Sequence, residues 1–202
     1  MKILALDSST STASIACLDH KHKILFEYYH PQQRTNSSIF FEGLQTALQQ
    51  CGKPDRLVVG LGPGSYNGLR ASIAAAQGIA AACNLELVGL PSILGLEAAS
   101  KECWAIGDAR GGQYWLAPLS HHQLIEAPFL ITPTALLSHL KKYPDLPIIA
   151  SQELPHLPST LKVTIQTPNA AILARQGKDS EPISFLEPIY LKSPHITAPR
   201  HS

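Results

Sequence analysis

A glycine-rich loop at residues 62–70, with the sequence GPGSYNGLR, is the part of the chain best suited to binding an anion. It follows the apolar run 57–61 and precedes an alanine-rich segment, which predicts a turn from a strand into a helix capped by Ser65 or Asn67. The free N–H groups at such a helix start attract phosphate. The loop lacks the Gly-Lys-Ser or Gly-Lys-Thr ending of a P-loop NTPase, which argues against that class. Tight packing without a ligand is the alternative explanation of the glycines.

Two aspartates occupy the same place in two similar stretches of sequence. Asp7 ends the apolar run 2–7, and Asp108 follows the apolar run 104–106; each precedes a small or polar turn and a second apolar run. The two halves therefore look like diverged copies, although a chance similarity of two short hairpins remains the alternative. Two such halves resemble the plan of the actin, Hsp70 and sugar-kinase superfamily, which implies that these turns approach nucleotide phosphates and a metal. The candidates for that contact, or for vestiges of it, are Asp7, Ser8, Ser9, Gly62, Gly64, Ser65, Asp108 and Arg110.

The elements that must position these residues follow an order that repeats. Hydrophobic patterns predict strands at 2–7, 13–18, 24–29, 57–61 and 85–88, with helices at about 36–50, from the glycine loop to about 82, and from Pro91 to Ala98. In the second half they predict strands at 104–106, 113–119 and 124–127 and helices at about 133–142 and 169–176. This α/β order of duplicated β-β-β-α-β-α halves matches the RNase-H-like lobes of the actin, Hsp70 and sugar-kinase (ASKHA) superfamily. We expect an N-terminal lobe at 1–101 and a shortened C-terminal lobe at 102–202 with a proline-rich tail.

Composition excludes several classes of protein. The 202 residues are 45% hydrophobic and 15% charged with a net charge of +1, so neither disorder nor a strong field for nucleic acid is indicated. No apolar run is long enough to span a membrane, and Asp7 interrupts the first apolar stretch too early for a signal peptide, so we expect a cytoplasmic protein. The cysteines, which are far apart and predicted to be reduced core residues, are Cys17, Cys51, Cys83 and Cys103.

Five motifs in order resemble the TsaB family, also called YeaZ. They are residues 3–10 (ILALDSST), the glycine loop, Pro91-Ser92, residues 108–110 (DAR) and residues 187–191 (EPIYL). The resemblance implies a role in making threonylcarbamoyladenosine on tRNA, as partner of a related catalytic subunit, TsaD, with an ATPase, TsaE, joining them. It also implies that ATP and metal are held by the partner subunits, that tRNA is reached only through the complex, and that a homodimer is possible.

The first helix of the fold argues for a non-catalytic role. The resemblance implies that the catalytic relatives hold a metal with a histidine pair on this helix, whereas residues 34–42 read RTNSSIFFE. Asn36 stands in place of the single histidine that TsaB-like chains often keep. His30 lies too early to be promoted to a ligand. The alternative function is a Mg-ATP-dependent ATPase or small-molecule kinase that uses Asp7, the glycine loop and Asp108. A peptidase is not supported, because neither a metal-binding pair nor a Ser-His-Asp order is present.

The first two helices are predicted to form a surface for a partner. Their small and apolar residues exceed what one buried stripe requires, and the resemblance implies a four-helix contact with the paralogue or with a second copy. The alternative is that the sheet and the neighbouring lobe cover both faces. The interface candidates are Ile39, Phe40, Phe41, Leu44, Arg70, Ala71, Ala74, Ala75 and Gly78.

The proline-rich tail is predicted to end in an ordered arm. Residues from Pro182 to Pro194, including Tyr190 and Leu191, are expected to pack back on the protein, with a loose terminus as the alternative.

Overall fold

The first sheet carries the glycine loop. The computed structural model describes residues 1–31, 38–154, 156–158 and 160–191. Five strands pair in the order β3-β2-β1-β4-β5, in which β1, β2 and β3 are antiparallel and β4 and β5 run parallel to β1. The elements are β1 Ile3–Asp7, β2 Thr12–Leu18, β3 Ile24–Pro31, α1 Ser38–Cys51, β4 Arg56–Gly60, α2 Tyr66–Cys83 and β5 Glu86–Leu90.

The second sheet repeats this topology. Its first strand, β6, pairs antiparallel with β7 and parallel with β10, as β1 pairs with β2 and β4. The strand order is β11-β10-β6-β7-β8, and β9 also pairs with β7. The elements are β6 Cys103–Asp108, β7 Tyr114–Ser120, β8 Gln123–Leu124, β9 Phe129–Ile131, α3 Pro133–Leu140, β10 Ile148–Ala150, β11 Val163–Ile165 and α4 Ala170–Gln176. The predicted duplication is therefore confirmed.

Alternating side chains divide the interior into three apolar layers. On the first sheet, residues such as Leu4 and Val59 face α1 and α2, whereas Ile3 and Val58 face the opposite side. That opposite side meets α4 and one face of the second sheet in a single continuous core, which we call the central core. The other face of the second sheet packs against α3. No helix among the described residues is long and apolar enough to cross a bilayer.

The prediction of a single helix from Pro91 to Ala98 is wrong. The segment forms two short 3₁₀ helices instead, Ser92–Gly95 and Glu97–Ser100, separated by the extended residue Leu96. The Gly95 carbonyl accepts the N–H of Asn169, at the cap of α4, rather than one from its own segment. A Cβ on Gly95 would lie only 3.0–3.1 Å from atoms of Leu173 and Asn169. Close packing against α4 therefore decides the conformation of this segment.

The second lobe departs from the expected repeat in two places. The third strand, predicted at 124–127, is split into β8 and β9. The described residues between β10 and β11 form no helix, so the final helix of the second repeat is missing there. Three partly buried leucines from this connection pack on α3's side of the sheet in its place: Leu154, Leu157 and Leu161. The helix predicted at 169–176 is confirmed as α4, but it packs on the first sheet.

The arm after α4 is ordered along the first lobe, as predicted, up to Leu191. The Ile183 N–H donates to the Leu87 carbonyl of the edge strand β5 (2.8 Å), and the Ile189 N–H donates to the Leu61 carbonyl (2.8 Å). Between them Leu186 is buried in the core beneath α2. The part of the predicted arm up to Pro194, and the Asn36 position, lie outside the described residues.

Candidate functional site

Asp7 lies at the end of β1, fully buried beneath the glycine loop. Its Oδ1 accepts hydrogen bonds from the N–H (3.0 Å) and hydroxyl (2.7 Å) of Ser9. Its Oδ2 lies beside Gly60 and Ser92, has no hydrogen bond of normal geometry, and would overlap any Cβ placed on Gly60. Burial raises the pKa of Asp7, and the hydroxyls of Ser92 and Ser9 and the Ser9 N–H act in the opposite direction. The carboxyl is therefore enclosed, not presented to a ligand.

The glycine loop closes over this turn by direct hydrogen bonds. The Ser65 N–H donates to the Ser9 carbonyl (2.6 Å), and the Ser8 hydroxyl donates to the Gly68 carbonyl (2.6 Å). A Cβ on Gly64 would overlap the Ser9 backbone, so only glycine permits this approach. Ser65 caps α2, one of the two predicted caps, by accepting the Gly68 N–H at 3.4 Å.

Gly62 completes the closure between the loop and the following segment. It adopts φ +97° and donates its N–H to the Ser92 hydroxyl oxygen at 2.8 Å. Ser92 in turn donates its own N–H to the Gly62 carbonyl at 2.8 Å. The structure therefore joins six of the eight candidates into one unit, in which Gly64 and Ser65 are exposed and the others are buried: Asp7, Ser8, Ser9, Gly62, Gly64 and Ser65.

Asp108 and Arg110 form the equivalent turn at the end of β6. Asp108 Oδ1 accepts the Arg110 N–H at 2.6 Å, just as Asp7 accepts the Ser9 N–H. The two strands also hold their aspartates at matching register positions, opposite Ser14 and Tyr114. Unlike Asp7, Asp108 is exposed. The carboxylate is therefore open to solvent on the second lobe and enclosed on the first.

Two of the histidines and two of the cysteines in the described part of the chain are held by contacts within the fold. His122 Nδ1 lies 2.9 Å from the Leu94 carbonyl, and the His139 ring packs edge-on against Trp104 with centroids 5.0 Å apart. Burial, and then its neighbour Cys51, raises the pKa of the Cys17 thiol to about 12. Within residues 1–31, 38–154, 156–158 and 160–191, no group of three or more His, Cys, Asp or Glu side chains could hold a metal ion.

The candidate interface residues divide into a buried and an exposed set. Phe40 is only 4% exposed and Leu44 is equally buried, so both support α1 from within the core and are not on its surface. Phe41 is 44% exposed. The other candidates are half-buried or exposed: Ile39, Arg70, Ala71, Ala74, Ala75 and Gly78. We call this set without Arg70, together with Phe41, the docking face; Arg70 belongs to the aromatic cluster described next.

An aromatic cluster that the sequence did not predict lies at the start of α2. The Tyr66 and Tyr190 rings stack with centroids 5.5 Å apart and planes inclined by 28°. The Arg70 guanidinium lies 5.2 Å from the Tyr66 centroid and donates to the Tyr66 hydroxyl at 2.6 Å. The spacing of Tyr66 and Arg70 at i and i+4 was visible in the sequence, but nothing there could show that the arm returns Tyr190 to the same place.

Two lobes with one repeated topology and aspartate turns at equivalent strand ends define an actin-like protein of the ASKHA class. The chain belongs to the family described as "TsaD: tRNA N6-adenosine threonylcarbamoyltransferase", whose model matches residues 23–123. No curated protein gave a significant sequence match.

Solved structures share the fold. One is "an uncharacterized protein with similarity to peptidase YEAZ from Pseudomonas aeruginosa" (TM-score 0.73, 19% identity, covering 95% of this chain and 99% of that one). YeaZ from Pseudomonas aeruginosa follows (TM-score 0.66, 20% identity, 87% and 90% covered). The ethanolamine utilization protein EutJ from Carboxydothermus hydrogenoformans is more distant (TM-score 0.50, 12% identity, 88% of each chain covered). The family match and this shared fold confirm the family that the motifs predicted.

Proposed function

We propose that the chain is a non-catalytic partner subunit that docks a TsaD-like catalytic paralogue and supports its transfer of a threonylcarbamoyl group to adenosine in tRNA. The reaction class rests on the family, whose description names this transferase. The scaffold role rests on one observation above all: the Asp7 turn and the glycine loop are hydrogen-bonded to each other, with the carboxyl enclosed between them.

An actin-like site for nucleotide needs open backbone N–H groups and an acidic side chain that reaches a cation. Here the Ser65 N–H is already paired with Ser9, and the Gly62 N–H with Ser92. Asp7 would have to leave its buried position before it could contact a metal ion. Two N–H groups of the loop that in an active relative would face a ligand are thus used in internal hydrogen bonds.

The docking face supplies what a scaffold needs. Gly78 lies in the middle of α2, where glycine costs about 1 kcal/mol relative to alanine. A Cβ on Gly78 would meet no atom within 4 Å, so nothing in the described chain explains the glycine. The exposed Ala74 lies one turn away on the same helix. Small residues at these positions allow a second helix to approach to the short end of the usual interaxial distance, about 8 Å.

The docking face is tested by charge insertion at positions that the chain itself leaves open. Phe41→Asp and Ala74→Glu should each weaken the complex with the paralogue at least tenfold in size-exclusion and titration measurements, because a partner helix would have to desolvate the new charge. Leu25→Asp is the matched control, since Leu25 on β3 is also 44% exposed but lies outside the docking face. Undiminished complex formation by both helix variants would count against the proposal.

The same face can serve a second copy of the chain. Size measurements of the chain alone and with the paralogue should therefore show either a homodimer that gives way to the heterodimer or a monomer that pairs only with the paralogue. We propose that the TsaE-like ATPase and tRNA join this assembly in the cytoplasm and that ATP and metal bind to the partner subunits.

The rival function is an ATP-dependent enzyme of the same superfamily. It needs Asp7 to reach a cation, and the enclosed state of the carboxyl disfavours this. Calorimetry with Mg-ATP should give no micromolar binding to the isolated chain. Micromolar affinity accompanied by turnover would replace the scaffold proposal with the rival.

A further inference from the structure

The stacked pair formed by Tyr66 and Tyr190, with Arg70 beside it, is called the tyrosine platform here. Tyr66 is 42% exposed and Tyr190 is 47% exposed, although each ring is already stacked on the other. Aromatic side chains bury large apolar areas when they can. A stacked pair that still leaves this much of both rings in solvent therefore offers its remaining surface to a ligand.

The platform is held rigidly from both sides. Tyr190 directly follows Ile189, whose N–H is bonded to the Leu61 carbonyl. Tyr66 directly follows the cap residue Ser65, whose N–H is bonded to Ser9. Both rings therefore follow residues whose backbones are hydrogen-bonded to the first lobe, which lowers the conformational entropy lost when a ligand binds to the rings.

We propose that the tyrosine platform stacks on an unpaired base of the tRNA held by the complex. This inference rests on the proposed function, because it is the complex that brings the tRNA to the chain. Base-on-aromatic stacking tolerates any base, since every base has a π-face. The Arg70 guanidinium beside the rings can meet the adjoining phosphate. The chain carries a net charge of only +1, so a short-range stacking contact is the kind of RNA contact that its composition permits.

A protein side chain is the less favoured occupant. Protein partners anchor aromatic or aliphatic side chains in apolar pockets, and a groove of that kind, about 480 Å³, lies at the other end of α2 between Ala81 and Phe185. The platform presents exposed rings with a cation beside them, which matches the recognition of unstacked bases.

The test uses the full chain assembled with the TsaD-like paralogue and measures tRNA affinity by fluorescence anisotropy over a range of salt concentrations. Tyr190→Phe keeps the ring and should bind within twofold of the unchanged complex. Tyr190→Leu keeps an apolar side chain without a stacking face and should bind about 5- to 100-fold more weakly. Its loss should be the same at all salt concentrations, because no phosphate contact is removed. Tyr29→Leu is the matched control, because Tyr29 on β3 is 43% exposed and lies outside both the platform and the docking face, and it should leave tRNA affinity unchanged.

Three results would overturn the inference: tRNA binding by Tyr190→Leu as tight as before, an equal loss in Tyr190→Phe, or a failure of Tyr190→Leu to assemble with the paralogue. The last result would assign the platform to a protein contact. If the unchanged chain does not assemble at all, the proposed function fails instead. The variants are then compared as isolated chains with an unstructured oligoadenylate, where the same ranking is expected and no binding by the unchanged chain would overturn the inference.

Discussion

The Asp7 carboxyl is fully buried, and only one of its two oxygens accepts hydrogen bonds. One oxygen is bonded twice to Ser9, but the other faces Gly60 and Ser92 without a bond of normal geometry. Leaving a buried polar atom unsatisfied typically costs about 1–3 kcal/mol. Burial of the carboxyl raises the pKa of Asp7, so keeping it ionised in the folded protein costs free energy.

We predict that Asp7→Asn stabilises the protein at neutral pH by about 1–3 kcal/mol. The folded carboxyl has a pKa above the ordinary 3.8, so the folded state holds the proton to higher pH than the unfolded chain. The contribution of Asp7 to the free energy of unfolding is therefore greatest below about pH 4, and it falls as the pH rises towards the pKa of the folded carboxyl. Asparagine has no such loss and can donate to Ser92.

Urea unfolding at pH 5 and pH 8 measures this difference. The difference in unfolding free energy between Asp7→Asn and the unchanged chain should be larger at pH 8 than at pH 5. Asp108→Asn is the matched control, because Asp108 is exposed and holds the same turn. A less stable Asp7→Asn would show that the carboxylate charge is needed.

Local sequence was enough to predict which residues make the aspartate turns but not how deeply they are buried. Asp7 and Asp108 end equivalent strands and accept equivalent N–H groups, as strand pattern and turn chemistry predict. Burial of Asp7 depends on Ser92 and Gly64, which reach it through tertiary packing. A pattern of neighbouring residues holds no information about that approach.

At the scale of elements, substitution of Gly78 should have opposite effects on the stability of the isolated chain and on its affinity for a partner. We predict that Gly78→Ala raises the stability of the isolated chain by about 0.5–1 kcal/mol, because alanine is the better helix former and its methyl meets open space. The same methyl should weaken the complex with the paralogue roughly tenfold by overpacking the helix contact. Denaturant unfolding and size-exclusion titration measure the two effects.

Gly43 in α1 is the matched control for Gly78. A Cβ there would lie 2.7 Å from the Tyr28 ring, so Gly43→Ala should destabilise the isolated chain. A Gly78→Ala chain that is more stable and still binds the paralogue as tightly would exclude close helix approach at that point.

Helices and strands with a regular spacing of apolar residues could be predicted from the sequence. Elements whose conformation depends on contacts between residues far apart in the sequence could not. α1 and α2 follow from apolar spacing and a serine cap. The segment after Pro91 has helical composition, but Asn169 takes the carbonyl that a helix would use. The three-residue strands β10 and β11 are too short to show a period, and their pairing with β6 and with each other defines them.

At the scale of the molecule, the central core joins both sheets and α4, so we predict one unfolding transition. Both tryptophans, Trp104 and Trp115, lie in the second sheet and report that lobe by fluorescence, whereas far-UV circular dichroism reports both lobes. The two denaturant curves should coincide.

Val58→Ala tests directly whether the two lobes unfold together. Val58 lies on β4 of the first sheet and belongs to the central core. Its truncation should cost about 2 kcal/mol and shift the tryptophan curve as far as the dichroism curve. A tryptophan curve that stays in place would show that the lobes unfold independently.

The placement of α4 and the arm has a consequence for synthesis on the ribosome. Strands β1 to β5 are translated early, yet one face of their sheet is covered by Ala171 and Leu173, and Leu186 completes the core on the other face. Until those late residues emerge from the ribosomal exit tunnel, apolar residues of the first sheet remain exposed to solvent. A product that terminates before α4 would therefore be a target for chaperones and proteases.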